Sequence, residues 1–248
     1  MCLAVFAVNA LRDWPLVIVA NRDEYHERPT AALDVWSDHS NILAGRDLRA
    51  FGTWLGVNRQ GRIGLLTNVR EPGKNNPDAV SRGQIIEQYL EGQNSADSYL
   101  AALAAENDRY NGFNLLLFEK EYAWFMSNRG QGQDQTSAFT KLNRGVFGLS
   151  NASLDTSWPK LTRTREAVKK SLLRSDSPSV EALFDIFADQ TRAPDEDLPR
   201  TGLPLEREQS LSSPFIVDPV YGTRSTSILL KDHLGQIQFL ERSFSPQG

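Results

Sequence analysis

A lone cysteine stands second in the chain, and its position alone raises the prospect of a reaction. Removing Met1 makes Cys2 the first residue, and a small residue at position 2 permits that removal. The new α-amine has an unperturbed pKa of about 7.7–8.0, so it can take the thiol proton and return it to an amine leaving group. Taken by itself, Cys2 also fits a small buried hydrophobe opening a strand, the commoner role of a lone cysteine.

A polar cluster, Asn21-Arg22-Asp23-Glu24, closes the apolar run at residues 16–20. If that run pairs with residues 3–8 as a hairpin, the cluster lies beside Cys2. A guanidinium there lowers a thiol pKa, and a carboxylate holds an ammonium or orients an amine. The same four residues also make an ordinary polar turn. Asn68 and Asn151 follow apolar runs, and Asn114 sits within residues 112–118. A fixed amide can donate to a developing oxyanion, worth about 3–4 kcal/mol in a well-built site, or simply serve a turn. Arg224 lies in a strand pattern, where it either faces solvent or offers a fork to a carboxylate. Trp54, like the other tryptophans, reads as a core or pocket wall. Glu24, Trp54, Asn114 and Tyr221 are the expected substrate contacts.

Other chemistries lack their residues. The glycines around Gly45 and Gly52–Gly56 have neither the spacing nor the following helix of a phosphate or dinucleotide loop. There is no Gly-x-Ser-x-Gly elbow. His26, His39 and His233 are far apart in sequence, so no metal site is assigned.

The elements that must position these residues begin with strands. Short apolar runs at 3–8, 16–20, 42–44, 53–57 and 63–67 are separated by turn residues, an order that favours antiparallel pairing. Ile85, Ile86, Tyr89 and Leu90 have helical spacing, with Ser81 as the expected N-cap. An alanine-rich helix over 96–107, a hairpin over 113–118 and 123–126, and a strand over 146–149 follow. Pro159 opens a helix to about residue 173, and Ser177-Pro178 another to about residue 188. Residues 190–216 carry Pro194, Pro199, Pro204 and Pro214 and read as an irregular lid or pocket loop. Two strands, 220–230 and 236–240, close the chain around the turn at Asp232. With no repeat and no linker, residues 1–248 are expected to form one domain.

The chain's 248 residues, 40% hydrophobic and 23% charged, belong to a globular protein. The net charge of −4, from 27 basic and 31 acidic residues, disfavours nucleic acid as a partner. No run approaches the roughly 20 apolar residues of a membrane span. A lone cysteine excludes an internal disulfide, and together with the missing signal sequence it leads us to expect a reducing cytoplasm. A homo-oligomer is left open.

The polar strings, taken in order, resemble the NRDE family, also described as the transport and Golgi organisation protein 2 family. They are Met1-Cys2; Ala20-Asn21-Arg22-Asp23-Glu24 with Arg28-Pro29; Leu43-Ala44-Gly45-Arg46-Asp47; and Gly52-Thr53-Trp54-Leu55-Gly56. Leu66-Thr67-Asn68, Tyr110-Asn111-Gly112-Phe113-Asn114, Gly148-Leu149-Ser150-Asn151, Tyr221-Gly222-Thr223-Arg224 and Glu241-Arg242-Ser243 continue the series over nearly the whole chain. Phe51 stands where the family commonly has glycine. The family is in turn similar to cysteine N-terminal-nucleophile hydrolases of the choloylglycine hydrolase and penicillin V acylase group. That resemblance implies an α+β fold, a four-layer αββα sandwich of antiparallel sheets. It implies Cys2 as nucleophile, Asn68 and Asn151 holding the oxyanion and the α-amine, and Arg224 tuning the site. The hydrolase group has Arg followed three residues later by Asp, whereas Arg22 and Asp23 are adjacent. The carboxylate role is therefore open between Asp23 and Glu24, and Asn21 competes with Arg22. The implied activity is cleavage of a small-molecule linear amide, with no cofactor required. The alternative is a non-catalytic carrier of haem or an acyl lipid on the same scaffold. One cysteine cannot make a covalent haem motif, which leaves His26, His39 and Cys2 as axial candidates.

Overall fold

The computed structural model describes residues 2–130 and 138–248. Met1, whose removal the chemistry above requires, lies outside the described residues. The chain divides into two units. Unit 1 holds the residues up to Glu27, Arg70–Pro72 and Arg144–Gly248, and unit 2 holds Arg28–Val69 and Gly73–Asn143.

Unit 1 is built on two apolar N-terminal strands, β1 (Cys2–Val8) and β2 (Leu16–Tyr25), paired as a hairpin. Unit 2 follows with β3 (Thr30–Val35), β4 (Ile42–Asp47), β5 (Leu55–Asn58) and β6 (Ile63–Asn68). Helices α1 (Gly83–Glu91) and α2 (Ala96–Ala104) and strands β7 (Phe113–Glu119), β8 (Tyr122–Ser127) and β9 (Phe139–Leu142) complete it. The chain returns to unit 1 with β10 (Gly145–Leu149), α3 (Pro159–Leu172), α4 (Val180–Phe187), α5 (Leu205–Ser210), β11 (Tyr221–Lys231) and β12 (Ile237–Ser243).

Each unit is one antiparallel sheet under one helix layer. Unit 1 has the order β10-β1-β2-β11-β12, and unit 2 runs β3-β4-β5-β6-β7-β8-β9. In unit 1, Leu3, Val5, Ala7, Val17 and Val19 alternate onto the face that packs on Leu161, Val168, Phe184 and Phe187 of α3 and α4. In unit 2, Ile85, Ile86, Tyr89 and Leu90 of α1 pack with Leu115, Leu117 and Met126. The fold is thus α+β, with the two sheet and two helix layers that the sequence led us to expect.

Several local expectations need correction. Arg82, not Ser81, occupies the N-cap of α1, and it makes no side-chain cap bond. Ser179 caps α4 by accepting from the Ala182 amide, so the helix starts past Ser177-Pro178. Strands β3 and β9 were not expected, because both are edge strands rich in exposed or half-exposed residues. Residues 190–216 contain α5 and a short 3-10 turn at Asp195–Asp197. They are tied down by Ala193 N donating to Ser212 Oγ (3.0 Å) and by buried Leu211, Phe215 and Ile216. Phe51 has φ 61° and is 59% exposed, which accounts for glycine as the common residue there.

Gly52 allows the approach of two loops in unit 2. A Cβ added there would stand 2.4 Å from the Gly83 carbonyl carbon at the start of α1. Gly52→Ala is expected to lower the unfolding free energy by about 1–3 kcal/mol in urea titration, as overpacking does. An unchanged midpoint would mean that the loop does not sit on this helix start.

Candidate active site

The hairpin register decides which polar residues share a face. Cys2 pairs directly with Arg22, and Leu3 with Asn21. Side chains alternate along a strand, so Cys2 and Arg22 lie side by side on one face of the sheet. Asn21 and Asp23 fall on the other, the helix-covered face with Leu3 and Val19. The two alternatives left open by the sequence are thereby separated. Asn21 is fully buried, donates Nδ2 to the carbonyls of Phe187 and Pro214 (both 2.9 Å), and accepts from Thr226 Oγ1 at 2.6 Å. It fastens α4 and the following loop to the sheet, while Arg22 faces the thiol. Glu24 is half-buried, and its Oε1 accepts from the neighbouring Tyr25 amide. Asp23 is the buried carboxylate, 1% exposed.

Strand β11 builds the wall around Asp23. Thr223 pairs with Asp23 in the ladder and donates Oγ1 to Asp23 Oδ1 at 2.8 Å. Tyr221 is buried and donates its hydroxyl to the Asp23 carbonyl at 3.0 Å. Burial pushes the Asp23 carboxyl above its ordinary value, against the lowering pull of the Lys160 charge and the Thr223 hydroxyl. Cys2 is half-buried as a residue, yet desolvation pushes its thiol upward, and the Asp23 charge adds to that rise. Arg22 pulls the other way and does not prevail, so the expected depression of the thiol pKa is not found.

Sequence reasoning missed a further set of ions in this unit. Arg70 Nη1 donates to Glu208 Oε2 at 2.8 Å, with both side chains nearly inaccessible, and stacks 4.7 Å from the Trp158 ring centre. Glu208 also accepts from the amide of Thr201. Lys160, in the first turn of α3, is 2% exposed. Desolvation brings its amine down to about 8, although the Asp23 charge opposes the fall. One sequence signal for it existed: Lys160 is in i, i+4 register with Thr164, Val168 and Leu172, which with Leu161 are the buried residues of α3.

Asn151 lies in unit 1, is buried, and follows β10 two residues beyond the Ala4–Leu149 pair. The chain direction carries it toward Cys2, and the intervening Ser150 donates Oγ to the Cys2 carbonyl at 3.3 Å. Arg224 sits at the irregularity between Thr223 and Ser225 and donates to the carbonyls of Tyr25 and His26. Cys2, Arg22, Asp23, Asn151, Tyr221 and Arg224 all belong to unit 1. Asn68, Trp54 and Asn114 belong to unit 2. There Asn68 ends β6 opposite Phe113, Asn114 donates to Thr67 Oγ1 at 3.2 Å, and Trp54 packs on Gly45.

Among the described residues, His39, Glu87 and Glu91 of unit 2 place donor atoms within 4.8 Å of one another, a grouping invisible to histidine spacing alone. In the structure His39 Nδ1 contacts the Glu91 carboxylate. His26 has Nε2 on the Asp218 carbonyl at 2.9 Å. No helix of the described residues is long and apolar enough to cross a membrane.

The profile of the family described as Transport and Golgi organisation 2 matches residues 1–246. The chain is similar to the "Transport and Golgi organization 2 homolog" of Mus musculus, 33% identical over 98% of this chain and 93% of that one. The Homo sapiens "Transport and Golgi organization protein 2 homolog" is 32% identical over the same shares. Among solved structures, a Caenorhabditis elegans N-acylethanolamine-hydrolyzing acid amidase ortholog covers 92% of each chain with TM-score 0.50 and 10% identity. That likeness shows the fold, the one found in N-terminal-nucleophile hydrolases.

Asn21 is expected to act as scaffold and not as a reacting group. Asn21→Ala leaves two carbonyls and a hydroxyl without their partner and should lower stability by about 2–4 kcal/mol in urea unfolding. A loss under about 0.5 kcal/mol would mean that these bonds do not hold α4 to the sheet.

Proposed function

The chain belongs to the Transport and Golgi organisation 2 family, and from that premise we propose that it is a cysteine N-terminal-nucleophile hydrolase of a small, linear, non-peptide amide. One observation carries the proposal: Cys2 opens β1 directly opposite Arg22, with the buried Asp23 next along β2. The likeness in fold to an N-acylethanolamine-hydrolyzing amidase is consistent with it.

The steps follow from what these groups can do once Met1 is removed. The free α-amine of Cys2 takes the thiol proton, and the sulfur attacks the amide carbonyl. Arg22, on the same face, stabilises the thiolate electrostatically. The Asn151 amide is the donor that unit 1 offers to the tetrahedral oxyanion. Collapse breaks the C–N bond, and the α-ammonium returns the proton to the departing amine. Water then attacks the thioester as the α-amine accepts its proton; the C–S bond breaks, the acid leaves, and the α-ammonium returns the proton to the sulfur. Asp23 holds the α-amine in its cationic state between proton transfers. Desolvation raises the resting thiol, so the neighbouring α-amine is needed to take its proton. A lone reactive thiol suits a reducing compartment, and the cytoplasm is the proposed setting. A haem or acyl-lipid carrier on the same scaffold stands as the alternative.

The test is a panel of N-acyl amides given to the full-length protein after intact mass has shown whether Met1 is absent. Turnover by the processed chain is expected, with Cys2→Ala losing on the order of 10³-fold or more in kcat/KM while still binding substrate. Cleavage that survives Cys2→Ala removes Cys2 as nucleophile. A processed chain inert across the panel favours the carrier.

A further inference from the structure

Lys160 is a buried titratable side chain that the amide-cleaving steps leave unused. Three observations set it apart from a packing lysine. It is 2% exposed, so the whole stem and ammonium have left water. Its Nζ has no hydrogen-bond partner among the described residues. It also stands one residue after Pro159 in the first turn of α3, where exposed amide N–H groups make the helix end positive. A cation at that end, buried and without a hydrogen bond, is unfavourable unless an anion faces it. The charged groups around it are Asp23 on β2, Cys2 on β1, Arg70 and Glu208 of α5. Glu208 is already engaged by Arg70 and by Thr201, and Asp23 exerts the largest charge effect of the four on Lys160.

We propose that Lys160 is a positioning residue of the candidate active site, whose buried ammonium is the counter-ion that keeps Asp23 ionised between β2 and β11. The inference rests on the site read above, and it adds a group to it. Burial drives the Asp23 carboxyl toward its neutral form, and the Lys160 charge is the largest effect opposing that drive. An ionised Asp23 can hold the α-ammonium of Cys2, whereas a neutral one cannot. Lys160 therefore acts on the nucleophile through Asp23. Its own proton is lost near 8, so the arrangement discharges on the alkaline side.

The test reads the two charges directly, in the full-length protein. Carboxyl carbon NMR of labelled aspartate follows Asp23, assigned by its absence in Asp23→Asn. Lys160→Met is expected to raise the Asp23 midpoint by about one pH unit or more, because an attracting cation is lost, while Lys160→Arg keeps it near the wild-type value. The reciprocal measurement covers the case in which Lys160→Met does not fold. Nitrogen NMR of the lysine ammonium, assigned by its absence in Lys160→Arg, should place Lys160 near 8 in the wild type. Asp23→Asn should move it down by about one unit or more, because an attracting anion is lost. Midpoints that stay put in both directions overturn the proposal. Amide turnover is read in parallel on the same variants. Cleavage with uncoupled titrations removes Lys160 from the site, and coupled titrations without cleavage keep this inference and remove only the proposed function.

Discussion

The constraint on which unit 1 depends is the burial of ions at the end of an apolar hairpin. Strands β1 and β2 are inaccessible along almost their whole length, and the same ladder that buries Val5 and Val19 carries on into Arg22 and Asp23. A buried isolated charge costs several kcal/mol, so each of these groups has to be answered by another. Thr223 answers the Asp23 carboxylate through a hydrogen bond, Tyr221 bonds the Asp23 backbone carbonyl, and Arg70 and Glu208 answer each other. Groups of this kind add little net stability relative to apolar ones. Arg22 and Asp23 stand at the open end of the hairpin and not along its middle.

Much of this was legible in the sequence, for a physical reason. Runs such as residues 3–8 and 16–20 are apolar on both faces, and only burial on both faces makes such a strand. Once the hairpin is drawn, Cys2 must neighbour the cluster at the end of β2. The edge strands β3 and β9 were not legible, because a strand exposed on one side loses its apolar signal. The caps at Arg82 and Ser179 were misplaced by a residue or two, since several polar residues precede each helix and only backbone geometry chooses among them. Lys160 was passed over because a lysine next to Pro159 looks like a solvated helix start. Its membership of the stripe with Thr164 and Val168 was the available contrary sign.

Parity along a strand also settles the choice between neighbours that composition could not make. Asn21 and Asp23 share a face, and Arg22 takes the other. The amide of Asn21 is used up by Phe187, Pro214 and Thr226, so it has no capacity left for a thiolate. Glu24, on the face of Arg22 but further along and less buried, bonds its neighbour Tyr25. Asp23 is left as the carboxylate that burial and Lys160 act upon in opposite senses.

The same parity bears on the spacing that separates this chain from the hydrolases it resembles. An Arg followed three residues later by Asp and an Arg followed at once by Asp both place the two side chains on opposite faces of a strand, because both spacings are odd. The difference is one of reach. Dropping two residues brings the carboxylate back by about 7 Å along the strand, toward the residue paired with the nucleophile. In this chain that position is under the helix layer, beside Thr223 and in the field of Lys160. Burial there pushes the carboxyl upward, and the Lys160 charge opposes the rise. Adjacent Arg22 and Asp23 and a buried lysine at the start of α3 are, on this account, two parts of one arrangement.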